Sequence, residues 1–190
     1  DRISDYLFTT EESATENLIN EGVEKNKIFF VGNCMIDSIV KYKHLIENSN
    51  YFEKYNLVKE EFCLLTLHRP SNVDNLDKLE EFVSLVNKIS KSIKVVFPVH
   101  PRTTKLLKNS EIKFSNNVSL LKPLPYIEFL NLVRYSRLVI SDSGGIQEET
   151  TFLGKTCITV RDNTERPVTV KIGTNYLAGT KIKKIYKIFK

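Results

Sequence analysis

The stretch LVISDSGGIQEETTFLG (138–154) reads as a strand, a two-glycine turn and a helix. Leu138–Ser141 is a short β-branched apolar run, the pattern of a strand buried on both faces. Gly144 and Gly145 follow, a helix is predicted over Gly145–Leu153, and Gly154 stands where a C′ glycine belongs. A helix that opens directly behind a strand presents unpaired amides with the positive end of its dipole behind them. Glycine at that point lets a ligand come close to the backbone. Ser143, Gly144 and Gly145 are therefore a candidate phosphate cradle. Glu149, four residues beyond Gly145, falls on the same helix face, where a carboxylate suits a ribose diol and not a phosphate. A tight turn with a solvated acidic first turn would leave the same letters. The stretch is neither a Walker loop nor a GxGxxG fingerprint.

Working outward, the same kind of run recurs. Strands are predicted at Tyr6–Thr9, Ile28–Val31, Phe62–Leu67, Val95–Val99, Val118–Leu121, Leu138–Ser141, Thr156–Val160 and Tyr176–Ala178. Between them lie amphipathic stretches. Glu11–Glu21 follows Thr9–Thr10 as a cap and stops at Gly22. Asn75–Ser90 and Pro125–Tyr135 each carry one apolar stripe. Glu47–Glu60 is polar and reads as a surface excursion. Strands alternating with helices mean βαβ units, hence an α/β domain with a Rossmann-like, doubly wound parallel sheet and helices on both faces.

In such a sheet ligands bind beyond the carboxyl ends of the strands. Those ends are polar here. His68 and Arg69 follow one strand, His100-Pro101-Arg102 another, Asp142-Ser143-Gly144-Gly145 a third and RDNTERP (161–167) a fourth. Cations, hydroxyls and glycines on one rim suit an anionic ligand. Individually these residues have ordinary readings: a strand-end pair, a turn cap, a local pairing of Arg166 with Glu165. Arg166 could equally reach a diphosphate.

The chain has 190 residues, 28 Lys and Arg against 23 Asp and Glu, and a net charge of +5. Five lysines lie in KIKKIYKIFK (181–190), and the remainder is neutral. A nucleic-acid protein is therefore not expected. In that tail Ile182, Ile185, Tyr186 and Phe189 follow helical spacing, which predicts a helix docked on the domain and not a membrane anchor. No run approaches a membrane span. Cys34, Cys63 and Cys157 form no CxxC, and two of them lie in apolar runs, which suggests free thiols and a reducing, cytoplasmic compartment.

LHRPSNVD (67–74), HPR (100–102), SDSGGIQEE (141–149), RDNTERP (161–167) and GTNYLAG (173–179), with TEESATENLINEGV (10–23) and VGNCMID (31–37), resemble the non-hydrolysing UDP-N-acetylglucosamine 2-epimerases. The likeness runs in order over nearly the whole chain. It implies the C-terminal, UDP-binding half of a two-domain, glycosyltransferase-B-like fold. Residues 1–10 would then be the end of the N-terminal domain, 11–190 the nucleotide domain, and an N-terminal catalytic domain and a final helix would be missing. It implies UDP and UDP-N-acetylglucosamine as ligands, held by His68, Arg69, Ser143, Gly144, Gly145, Glu149 and Arg166. His100 and Arg102 would stand behind that site or in a regulatory one. The implied reaction inverts C2 of the sugar by eliminating and re-adding UDP, without redox cofactor or metal. Its acid and base carboxylates belong to the absent domain, so the catalytic groups are unknown and His68 is the one candidate here. A homodimer is expected at full length. Pro70 and Ser71 replace the second arginine and the glutamate of an HRRE pattern common in relatives, which puts that arginine's contacts in doubt. Two other readings stay open: the C-terminal domain of a UDP-sugar glycosyltransferase, and a non-catalytic UDP-sugar-binding module. The sugar's own substituents are not legible, and a 3-acetamido or uronate substrate fits as well.

Overall fold

Alternation along Phe62–Thr66 decides where the core lies. Phe62 and Leu64 turn to one face of the sheet and Cys63 and Leu65 to the other, and all four are buried. A strand with two apolar faces needs a layer on each side. In the computed structural model of the chain, residues 3–69, 72, 76–108, 110–171 and 173–190 are described, Arg102 and Lys108 by their backbone alone.

The chain divides into two compact units, 1–41 and 42–190. The first holds β1 (Leu7–Thr9), α1 (Glu12–Asn20), a 3-10 turn (Lys25–Lys27) and β2 (Ile28–Phe30), with β1 and β2 paired in parallel. Thr9 does not cap α1. Glu11 is the N-cap residue, and the Thr9 hydroxyl bonds that of Thr15 at 2.7 Å. Helix α2 (Cys34–Asn48) contributes residues to both units. Because β1, α1 and β2 pack with one another, this division falls at 41/42, whereas the resemblance set a boundary after residue 10.

The second unit contains α3 (Tyr51–Lys54), β3 (Phe62–Thr66), α4 (Leu76–Ile89), β4 (Lys94–Pro98), α5 (Pro101–Lys108), β5 (Val118–Leu121), α6 (Tyr126–Tyr135), β6 (Leu138–Ser141), α7 (Gly144–Phe152), β7 (Thr156–Thr159), α8 (Pro167–Lys171), β8 (Asn175–Leu177) and α9 (Ile182–Phe189). Its six strands form one parallel sheet in the order β5-β4-β3-β6-β7-β8. The chain winds outward from β3 to one edge, returns, and winds from β6 to the other. That is the doubly wound order, with its switch point between β3 and β6. Phe82, Leu85, Val86 and Ile89 of α4 and Ile185 of α9 cover one face. Leu132 and Val133 of α6, Ile146 of α7, and Phe52 and Leu57 cover the other.

Glu47–Glu60 is not a bare surface excursion. Phe52 and Leu57 are buried, and Asn131, itself buried in α6, ties the segment down. Asn131 accepts from the Phe52 amide at 3.2 Å and donates to the carbonyls of Ile46 and Ser49 at 2.7 Å each. The basic tail docks as its spacing predicts: Ile185 has no exposed surface, and Ile182, Tyr186 and Phe189 pack against the same core. Among the described residues no helix is long and apolar enough to cross a membrane. Cys63 and Cys157 are buried, Cys34 is exposed, and all three are free.

Candidate functional site

Register brings two strand ends together at the switch point. Thr66 lies opposite Ser141, and Ser141 opposite Thr159, so the segments after β3, β6 and β7 leave the sheet side by side. Asp142 is the hub. It has no exposed surface, yet its carboxylate is surrounded by donors from the segment after β3. The amides of His68 and Arg69 donate to it at 3.2 and 3.0 Å, and Asn72 Nδ2 donates at 2.9 Å. His68 Nδ1 stands 3.0 Å from its Oδ1. A buried carboxylate is tolerated only when its lone pairs are filled in this way.

The next residues open α7. Ser143 is its extended N-cap residue, its side chain makes no capping bond, and the first turn carries no acid. The Ser143 amide is used by Ser141 Oγ at 3.0 Å. Gly144 is in a backbone conformation any residue could adopt, and a Cβ there would make only ordinary contacts, with Arg161 Nη1 and Glu165 Oε2 at 3.8 Å each. Neither strain nor packing in the chain asks for glycine at this point.

The segment after β7 closes over that end. Thr164 donates to Gln147 Oε1 at 2.6 Å and accepts from the Arg166 amide at 2.9 Å, which pins the segment to α7. Arg166 does not pair with Glu165. Its Nε lies 3.1 Å from Glu148 Oε1, close but without hydrogen-bond alignment. Glu165 pairs instead with Arg161 Nη2 at 2.6 Å and lies 3.6 Å from Arg69 Nη2. The Arg161 guanidinium, through its hydrogen bond, holds the Glu165 carboxyl down at about pKa 2. Glu149, one turn further along α7, is 3% exposed and lies near Tyr126 at the start of α6. Burial raises its carboxyl to about 7, with Tyr126 working against the rise and Glu148 adding to it.

Of the residues expected in the site, His68, Arg69, Ser143, Gly144 and Arg166 meet around the end of α7, with Glu149 deeper along the same helix. Gly145 is the second residue of α7. His100 is exposed, and its carbonyl accepts from the Thr104 amide at 3.0 Å at the start of α5. The Arg102 side chain lies outside what the structure describes, as do Pro70 and Ser71. Asp142, Gln147, Arg161, Thr164 and Glu165 were not singled out. The available signal for Asp142 and Arg161 was position: each stands within two residues of the end of a strand that lies at or beside the switch point.

A family model described as UDP-N-acetylglucosamine 2-epimerase matches residues 1–190. The chain is 41% identical over 196 residues to the UDP-N-acetylglucosamine 2-epimerase of Methanocaldococcus jannaschii, covering 98% of this chain and 54% of that protein. It is 37% identical over 183 residues to a UDP-2,3-diacetamido-2,3-dideoxy-D-glucuronate 2-epimerase of Pseudomonas aeruginosa, covering 94% and 50%. The crystal structure of the Methanocaldococcus jannaschii UDP-GlcNAc 2-epimerase in complex with UDP-GlcNAc and UDP superimposes with a TM-score of 0.89 at 40% identity, over 100% of this chain and 55% of that one. The chain thus spans about half the length of the relatives it matches.

Proposed function

The chain belongs to the UDP-N-acetylglucosamine 2-epimerase family, and from that membership we propose that it is the nucleotide-binding half of an enzyme that interconverts UDP-N-acetylglucosamine and UDP-N-acetylmannosamine. The observation that carries the reading is the convergence at the β3/β6 switch point. There a helix end with no side-chain cap and no acid in its own first turn stands beside His68, Arg69 and Arg161. A diphosphate at that end would receive the α7 amides and cations on its oxygens, and Glu149 would accept from the ribose.

In the reaction, UDP leaves C1 as a proton is taken from C2, and UDP re-adds with a proton delivered to the opposite face. Negative charge builds on the leaving diphosphate, so donors fixed at the end of α7 favour the transition state over the bound ground state. Asp142 Oδ1 stands 3.0 Å from His68 Nδ1 and keeps the ring at the end of the switch point. Proton transfer at C2 needs a group about 3 Å from that carbon's hydrogen. The carboxylates for it are assigned to the other half of the enzyme, and the reading needs neither redox cofactor nor metal. It includes assembly with that half, a homodimer at full length and a cytoplasmic setting, with which three free cysteines agree.

The Pseudomonas aeruginosa relative favours a second form of the same reading, in which the sugar carries a 3-acetamido group and a carboxylate. The testing experiment is calorimetry of the chain with UDP, followed by an epimerisation assay with and without an added N-terminal half. UDP binding without turnover by the chain alone is expected, and conversion when the other half is supplied. Absence of UDP binding overturns the reading.

A further inference from the structure

Arg161 stands two residues beyond the end of β7, and its side chain is 5% exposed. Nη2 is engaged, with Glu165 Oε1 at 2.6 Å and Asn163 Oδ1 at 3.5 Å. Nη1 is buried and has no hydrogen-bond partner among the described residues. It points at the open end of α7, 3.8 Å from where a Gly144 Cβ would stand. A buried guanidinium N–H without an acceptor is costly, so its persistence beside an uncapped helix end asks for an explanation.

Glu165 supplies half of one. Its carboxylate lies at the same spot: Oε2 is 3.8 Å from the Gly144 Cβ position, and Oε1 binds Arg161 and approaches Arg69 at 3.6 Å. Two carboxylate oxygens facing two guanidinium groups and a helix N-terminus repeat the chemistry of a bound phosphate. Unlike Arg161, Glu165 has 59% of its side chain exposed. It can rotate into solvent, whereas Arg161 cannot leave.

We propose that Arg161 is a phosphate-binding residue of this site and that Glu165 is its built-in counter-ion, a carboxylate that occupies the anion position in the empty site and is displaced when a nucleoside diphosphate binds. This rests on the nucleotide-binding reading above. A phosphate oxygen then takes both Arg161 Nη1 and Nη2, satisfying the donor that Glu165 leaves unused. Glu165 keeps the buried guanidinium paired while the site is empty, and it competes with bound diphosphate, which favours release of the product.

The test is calorimetry with inorganic pyrophosphate and with UDP on the chain, on Glu165→Gln, Glu165→Ala, Arg161→Lys and Arg161→Gln, with a thermal melt of each. Both Glu165 variants are expected to bind both ligands about tenfold more tightly, because the competing charge is gone. Arg161→Gln is expected to lose at least about tenfold for both ligands, and Arg161→Lys, which keeps the charge without the fork, to lose less. Should Arg161→Gln not fold, Arg161→Lys and the Glu165 variants decide. If the chain binds UDP while the Glu165 variants bind no tighter, the counter-ion is refuted and the nucleotide reading stands. If the Arg161 variants fold and bind like the parent chain, the assignment of Arg161 falls. If the parent chain binds neither ligand, the nucleotide reading fails and the proposal with it.

Discussion

Asp142 holds His68 from two sides: its carboxylate accepts from the His68 backbone amide at 3.2 Å and faces the imidazole Nδ1 at 3.0 Å. One residue at the end of β6 thereby sets both the path of the chain after β3 and the orientation of a ring at its tip.

Asp142→Ala strips the acceptor from the His68 and Arg69 backbone amides and from Asn72 in a fully buried place. A loss of about 2–4 kcal/mol in unfolding free energy is expected, the range for orphaning buried polar partners. Asp142→Asn keeps the volume but brings two N–H groups to face existing donors. It should weaken UDP binding at a smaller cost in stability. Urea melts and UDP calorimetry on the two variants check this, and a stability loss under about 1 kcal/mol for Asp142→Ala would contradict the hub.

The sheet was legible because β-branched apolar runs are short and bounded by turn residues. All eight expected strands are present, with ends within one residue. Helix α2 (Cys34–Asn48) and the short helices α3, α5 and α8 were not, since their apolar positions are few or irregular and tertiary anchors such as Asn131 hold them. The strand-end position of Ser143, Gly144 and Gly145 at the start of α7 was legible from the sequence. Asp142 and Gln147 could not be given roles, because sequence spacing does not show that a carboxylate will be turned inward onto amides 74 and 73 residues away.

Ile185 is the anchor of the tail. It has no exposed surface and belongs to the core cluster that lines one face of the sheet. Ile185→Ala should cost about 2–5 kcal/mol, as large-to-small changes in cores do. Lys183→Ala, on the exposed side of the same helix, should change stability by less than about 0.5 kcal/mol. Thermal or urea denaturation of the pair separates a docked helix from a loose one.

Glu149 and the open end of α7 are assigned to different parts of the ligand. Glu149→Ala is expected to weaken UDP binding by about 1–3 kcal/mol, the range for leaving hydroxyl donors unmatched. Pyrophosphate, which has no ribose, should bind nearly as before. Calorimetry with both ligands checks the split, and equal losses would move Glu149 to the phosphates.

The same carboxyl predicts a pH dependence. Burial lifts Glu149 from 4.5 to about 7, so between those values the folded chain holds a proton that the unfolded chain has released. Its contribution to stability is fully present below about pH 4.5 and is lost as pH rises through about 7, on the order of 3 kcal/mol in all. Glu149→Gln lacks that slope, so the stability of the parent chain relative to this variant should fall between about pH 4.5 and pH 7 and level off above. Ligand binding should run the other way. Only the ionised carboxylate accepts from both ribose hydroxyls, and its population grows about tenfold between pH 6 and pH 8 for a group titrating near 7. UDP-N-acetylglucosamine is the right probe, since its diphosphate is esterified at both ends and does not itself titrate in that range. Its affinity for the parent chain should rise by up to about tenfold over those two pH units, while Glu149→Gln stays flat. A parallel rise in the variant would assign the titration to another group.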